Sequence, residues 1–394
     1  MTTLNRIELQ SGFPDPRTNR GLTAHEHIGF ELGWDYAHYR VTPPAPYAQE
    51  PSPLRNGLLA GQAAFGARTL AATRHVRKWL QLRLHAWLRG RSVELMQVTP
   101  NYLQQIDVSH CPITRTPLSR ALLSASDASV DRVRNDAGYA AGNLAVMSTR
   151  ANRAKSGYGC EDAMAFARQV ELGKLGQIDG LTAEHWARIA VLASFVTPMP
   201  HAQAAALPLL VLPPARLRLL NPVQSLQVML SLQFTRAGHG RRCAALASLM
   251  PSADALHAFR PFMLTLLARR VAAGQIADPV AERHAVEDMW RDPLVNRRWQ
   301  RLTLRLTAGD CERIGRVAAE RGLASSAVRW LSSDSATEGW ALESAGYALD
   351  RLANVAAAAC APPLPSAAFV PAMLRATRRG GNGSTRFVQP VNGG

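Results

Sequence analysis

"SVDRVRNDAGYAAGNLAVMSTRANRAKSG", residues 129–157, is the stretch on which the reading of the fold turns. Its first six residues, "SVDRVR", alternate polar with apolar side chains, the period of a short strand. "NDAGYAAG" supplies Asn, Asp and two glycines for a turn, and "NLAVM" reads as a second strand. "STRANRAKSG" follows as a short helix, with Ser148 as its cap and Gly157 as its stop. This order, strand, strand, helix, places Asp131 on the first strand near Asn152 on the helix.

Hydrolysis of a phosphodiester with one divalent metal needs few protein groups. A carboxylate and an amide carbonyl suffice as hard oxygen ligands when phosphate and waters fill the other positions. The ion stabilises charge on the phosphoryl and leaving oxygens, and a base titrating near neutrality activates water. Asp131 and Asn152 are the candidate ligands. Asn143, opening the second strand, is placed to tie the turn to the first strand through its amide. Arg150, Arg153 and Lys155 add positive charge for neighbouring phosphates. Between Cys111 and Ser156 seven Arg/Lys face three Asp, so the unit is net basic.

With these residues the stretch resembles the HNH endonucleases, the ββα-metal nucleases. That family reads Asp-His or His at the end of the first strand, then Asn, then Asn or His on the helix, commonly followed by Lys. Here the positions hold Asp131-Arg132, Asn143, Asn152 and Lys155. Upstream, "HCPITRTPL", residues 110–118, resembles the Cys-Pro-x-Thr turn that opens many zinc-free members. The likeness covers a small part of the 394 residues. It implies a metal-dependent DNA endonuclease or nickase with a catalytic set of Asp131, Arg132, Asn143 and Asn152. Mg²⁺, or Mn²⁺, is the implied cofactor, held by Asp131 and Asn152. Antiphage defence, with other defence proteins docking on a helical region, is a setting implied by family association alone.

Arg132 departs from the pattern. The family uses a histidine there as general base, and an arginine stays protonated and takes no proton from water. Three accounts follow. His110, beside the Cys111 turn, supplies the base; or Arg132 clamps the scissile phosphate; or the site is inactive, leaving a DNA-binding or adaptor protein. RNA in place of DNA is a further reading.

The whole chain agrees with a polyanionic partner. Its formal net charge is +16 and its pI about 10.7, which favours nucleic acid first and an acidic membrane surface second. Nearly all the basic residues are arginine, with lysine only at 78, 155 and 174. Five dispersed cysteines without a C-x-x-C pair argue against a disulfide framework or zinc ribbon and suit a reduced cytoplasm. The first residues lack a signal pattern, and "AAALPLLVLPPARL" is short and carries three prolines. A soluble, cytoplasmic protein without a membrane partner is the expectation. The chain shows no Walker P-loop, dinucleotide fingerprint or nucleophile elbow.

Four segments are expected. Residues 1–95 form a basic, partly helical region, 96–165 the ββα unit, 166–378 a helical region and 379–394 a flexible tail. Helical text runs from about Leu58 to Arg91 and places Val76, Trp79, Leu80, Leu84, Trp87 and Leu88 on one face. Arg74, Arg77, Lys78, Arg83, Arg89 and Arg91 fall mainly elsewhere, and Arg74, Arg77 and Lys78 are candidates for nucleic-acid contact. "HEH" at 25–27 reads as polar surface or a helix-start cluster rather than a metal site. "SATEGWALESAGYALDRLANVAAAAC" reads as a long periodic stretch near the end. The expected fold class is mainly α with a small embedded ββα-metal (HNH) unit, α+β overall.

Overall fold

The computed structural model describes residues 23–120, 122–173, 175–236, 238–323 and 333–348. The expected tail and the first 22 residues lie outside them. Thr23 opens the described chain with a capping box on Glu26 and starts α1 (Ala24–His38). After α2 (Ala45–Gln49) comes α3 (Pro53–Phe65), started by Ser52 and proline at its first position. Helices α1 and α3 touch backbone to backbone. A Cβ on Gly33 would lie 1.9 Å from the Leu54 carbonyl, and one on Gly57 1.9 Å from that of Phe30.

The helical text from Leu58 to Arg91 is two helices. Gly66, at φ +53°, ends α3, and Thr73 caps α4 (Arg74–Leu88). Helix α4 buries Val76, Trp79, Leu80, Leu84 and Trp87, while Leu88 is exposed. Arg83, one of the basic residues placed mainly off the apolar face, does not face solvent. It is buried over the Trp79 ring, 4.4 Å from its centroid, and paired with Asp35 of α1.

After α5 (Pro100–Gln105), strands β1 (Ala128–Arg132) and β2 (Leu144–Ser148) pair antiparallel with Val130 opposite Val146 and Asp131 opposite Ala145. Helix α6 (Thr149–Lys155) follows directly, its first turn capped by the Ser148 hydroxyl. Two boundaries shift from the sequence reading. Strand β1 stops at Arg132, and the helix is terminated by Ser156 at φ +45°, one residue before Gly157.

The rest is helical: α7 (Cys160–Leu172), α8 (Ala183–Phe195), α9 (His201–Ala206), α10 (Pro222–Ser231) and α11 (His239–Ala247). Then come α12 (Ala253–Ala272), α13 (Pro279–Asp288), α14 (Pro293–Thr303), α15 (Ala308–Glu320) and the single turn α16 (Ser333–Ala336). Phe262, Trp290 and Trp299 form an aromatic knot where α12 and α14 pack. The fold is mainly α with one two-stranded sheet. One hydrophobic cluster runs from Leu32 to Trp340, passing residues 95 and 165 without a break.

The stretch beginning at Ser335 is not a long helix where it is described. Gly339, Ala341, Ala345 and Gly346 all have positive φ, and after α16 ends at Ala336 the chain runs in turns with one short 3-10 turn at Leu342–Ser344. The part of that stretch beyond 348 lies outside the described residues.

Candidate functional site

Strand β1 alternates its side chains, so Ser129 and Asp131 share one face and Arg132 points to the other. Helix α6 covers the Ser129–Asp131 face. Its Asn152 and Lys155, three residues apart on one side of the helix, meet that pair in order. The Asn152 amide donates to Ser129 Oγ at 2.7 Å, and Lys155 Nζ lies 3.0 Å from Asp131 Oδ2.

Lys155 is the unexpected part of this arrangement. It is 0% exposed and also donates to the Arg132 carbonyl at 2.9 Å and to Asn135 Oδ1 at 3.3 Å. Two of the ammonium's three protons go to these oxygens, while Asp131 Oδ2 meets it as an ion pair and is a buried oxygen without a hydrogen-bond partner among the described residues. Asp131 is itself buried, 7% exposed. Burial pushes its carboxyl above the usual carboxylate value, and Lys155 and then Arg132 oppose that shift.

These residues, as placed, do not fit a divalent cation. The carboxylate that would hold it already faces a buried ammonium, whose charge would repel a second cation in the same low-dielectric space. The Asn152 Nδ2, not the Oδ1 that a cation would take, is engaged with Ser129, so it is the buried ammonium that opposes the ion. Among the described residues no group of three or more His, Cys, Asp or Glu stands where it could hold a metal. Lys155, expected to face phosphates, is instead an internal tie.

Arg132 is committed to the turn. Its Nη1 donates to the carbonyls of Asn135 at 2.9 Å and Ala137 at 2.8 Å, and its guanidinium lies 5.2 Å from the Tyr139 ring centre. Asn143, fully buried, completes the turn from the other side. Its Oδ1 accepts from the Arg134 amide at 2.8 Å, and its Nδ2 donates to the carbonyls of Arg134 and Gly138. His110 is half-buried and meets Ser109 Oγ at 3.0 Å. No hydrogen bond, ion pair or ring contact joins it to Asp131, Asn143 or Asn152 among the described residues. The neighbouring Cys111 thiol is buried and accepts from the Ser148 amide at 3.3 Å, bracing the start of α6.

Of the basic residues singled out from sequence, Arg150 and Arg153 are exposed on α6. They line a cleft of about 510 Å³ with Ser156, Tyr158 and Asp179. The Arg150 guanidinium also donates to the Gly180 carbonyl. On α4, Arg77 is exposed, whereas Arg74 pairs with Asp107, which Arg120 also reaches at 3.3 Å. Lys78 is half-buried, and its Nζ donates to the Ala128 carbonyl at 3.2 Å. Burial pulls that ammonium below the usual lysine value, against Asp127 and Asp107. The two described lysines thus hold the two ends of β1, Lys78 at Ala128 and Lys155 at Arg132.

Three features escaped the sequence reading. Residues 335–348 close over the turn between β1 and β2. Trp340, fully buried, donates its indole N–H to the Ala141 carbonyl at 3.0 Å, and its own carbonyl accepts from the Gly138 amide at 2.7 Å. Arg91 stacks on the Tyr347 ring at 3.8 Å beside this closure. Asp127 organises the loop before β1, accepting from Ser119 Oγ at 2.7 Å and from the amides of Leu122 and Ser124. Those bonds, led by Ser119, hold its carboxyl below the usual carboxylate range. At the N-terminus the "HEH" cluster is a helix start: His25 stacks on Trp87 and His27 pairs with Glu31. No described helix is long and apolar enough to cross a membrane.

Comparison with protein-family models, with curated proteins and with solved structures finds no match to this chain.

Proposed function

We propose that the chain is a DNA-binding protein built on an HNH-like ββα unit whose hydrolytic chemistry is closed off. One observation carries the reading: Lys155, wholly buried, stands 3.0 Å from the Asp131 carboxylate where the resemblance implies a metal. Support also comes from the two base candidates: Arg132 donates to the turn carbonyls, and among the described residues no hydrogen bond or ion pair joins His110 to Asp131. Support for DNA as partner comes from the +16 charge and from the exposed Arg150 and Arg153 around their cleft.

A second reading, the metal-dependent endonuclease or nickase, is favoured by the strand–strand–helix order and by Asp131 and Asn152 sharing one interface between β1 and α6. One experiment separates the two. Fluorescence anisotropy measures binding to a short duplex, and supercoiled plasmid is incubated with the protein and Mg²⁺ or Mn²⁺. Expected is salt-sensitive binding with the plasmid left supercoiled. Nicking by the wild type that disappears in Asp131→Ala and Asn152→Ala would establish the second reading. Absence of binding to the duplex would sink both, and preference for an RNA duplex would move the substrate class.

A further inference from the structure

The loop between the Cys111 turn and β1 carries two leucines in an unusual position. Leu122 is 70% and Leu123 86% exposed, while most large apolar side chains of this unit are buried. Leu123 has φ +54°, a left-handed conformation that a leucine does not adopt without being held there. The Asp127 carboxylate does the holding through the Leu122 and Ser124 amides and the Ser119 hydroxyl. The loop therefore presents its leucines on a fixed turn rather than burying them.

That turn is stitched to the basic helix. The Arg150 amide donates to the Ala125 carbonyl at 2.9 Å, and the Thr149 amide and hydroxyl both donate to the Asp127 carbonyl. Ala125 also borders the cleft that Arg150 and Arg153 line. Two solvated apolar side chains thus sit on the loop whose Ala125 is bonded to Arg150 and borders the cleft that Arg150, Arg153 and Asp179 line. No described residue pairs with Arg153, so its charge is available. Water is a poor partner for such a leucine pair, and cationic flanks select a partner that is both polyanionic and apolar inside. Duplex DNA meets that description, with phosphates outside and stacked bases within.

Resting on the DNA-binding reading above, we propose that Leu122 and Leu123 form a wedge that enters a base step while Arg150 and Arg153 hold the adjacent phosphates. Apolar wedges of this kind unstack a step and kink the duplex, most easily at flexible pyrimidine–purine steps. The Arg pair supplies the salt-dependent attachment, and the leucines supply the deformation.

The test uses the full chain and a duplex carrying 2-aminopurine at a TA step, with anisotropy and fluorescence read together. The variant is Leu122→Ser with Leu123→Asn, because asparagine accepts the left-handed turn and both sites are exposed, so the fold is retained. Wild-type binding should raise 2-aminopurine fluorescence. The double variant should bind roughly ten-fold more weakly, with the salt slope unchanged and the fluorescence rise abolished. Leu122→Met should keep the rise. If the wild type binds but the fluorescence stays flat, or rises equally in the double variant, the wedge is overturned while DNA binding stands. If the wild type does not bind the duplex at all, the DNA-binding reading fails, and the wedge with it.

Discussion

Lys155 and Asp131 meet at 3.0 Å, both buried, and the Arg132 charge acts on Asp131 only as the lesser partner. The pair fastens α6 to β1. Removing one member leaves the other stranded. Lys155→Met should therefore cost about 3–5 kcal/mol of stability by urea denaturation. Asp131→Leu combined with Lys155→Met should recover much of that loss, since two apolar groups strand no charge. A Lys155→Met protein as stable as the wild type would refute this role.

Arg132→His places the family's histidine in this strand, and it should not create a nuclease. The buried ammonium remains beside Asp131, and the new side chain points to the opposite face of β1. The turn loses two bonds from a charged donor to the Asn135 and Ala137 carbonyls, so stability should fall by about 2 kcal/mol. Plasmid nicking by this variant, absent in the wild type, would contradict the expectation.

The basic residues divide into those that face solvent and those that build the fold. Arg153→Ala should lower the slope of log affinity against log salt by about one, with an unchanged melting temperature. Lys78→Met should do the reverse, lowering the melting temperature and leaving the slope alone, because its ammonium bonds the Ala128 carbonyl. Equal slopes for wild type and Arg153→Ala would remove Arg153 from the interface.

Trp340→Ala should destabilise the protein by about 3–5 kcal/mol, the usual loss for a buried large aromatic. The damage should be local in kind as well as large. Amide exchange at Gly138, whose N–H is held by the Trp340 carbonyl, should accelerate more than exchange in α8. Uniform acceleration across both regions would argue that Trp340 merely adds core volume.

His284 sets an acid limit to stability. Burial, with Arg115 next in effect, pushes its pKa down to about 4 from the usual 6.5. The folded state thus takes up a proton later than the unfolded chain as pH falls. The stability His284 contributes is complete above about pH 6.5 and is lost as pH drops toward about 4. His284→Gln should flatten the melting-temperature profile across that window. A profile with the wild-type slope would show that other groups govern it.

What could be read from the sequence was local. Ser148 as cap, the strand alternation through Asp131 and the amide bracket of Asn143 are each fixed within about ten residues, where spacing alone determines geometry. Helical period places Arg83 and Lys78 away from most of the apolar stripe, where a basic side chain is ordinarily solvated. Their burial depends on Asp35, 48 residues earlier, and on the Ala128 carbonyl, 50 residues later. The burial of Lys155 has a related cause. A lysine on a basic helix is normally solvated, and only the carbonyl at the end of β1, Asn135 and Asp131 together make its burial tolerable. The exposed Leu122–Leu123 turn gives no signal in the sequence beyond two leucines among serines.

The closure of the β1–β2 turn by Trp340 also fixes an order of events in time. Ala141 and the indole that bonds it are separated by 199 residues. At a synthesis rate of about 5–20 residues per second, a ribosome makes Trp340 on the order of ten to forty seconds after Ala141. Throughout that interval the hairpin and its basic helix exist without their lid. Translation that stops short of Trp340 therefore releases the charged face but not the finished turn, so the unit matures only near the end of the described chain.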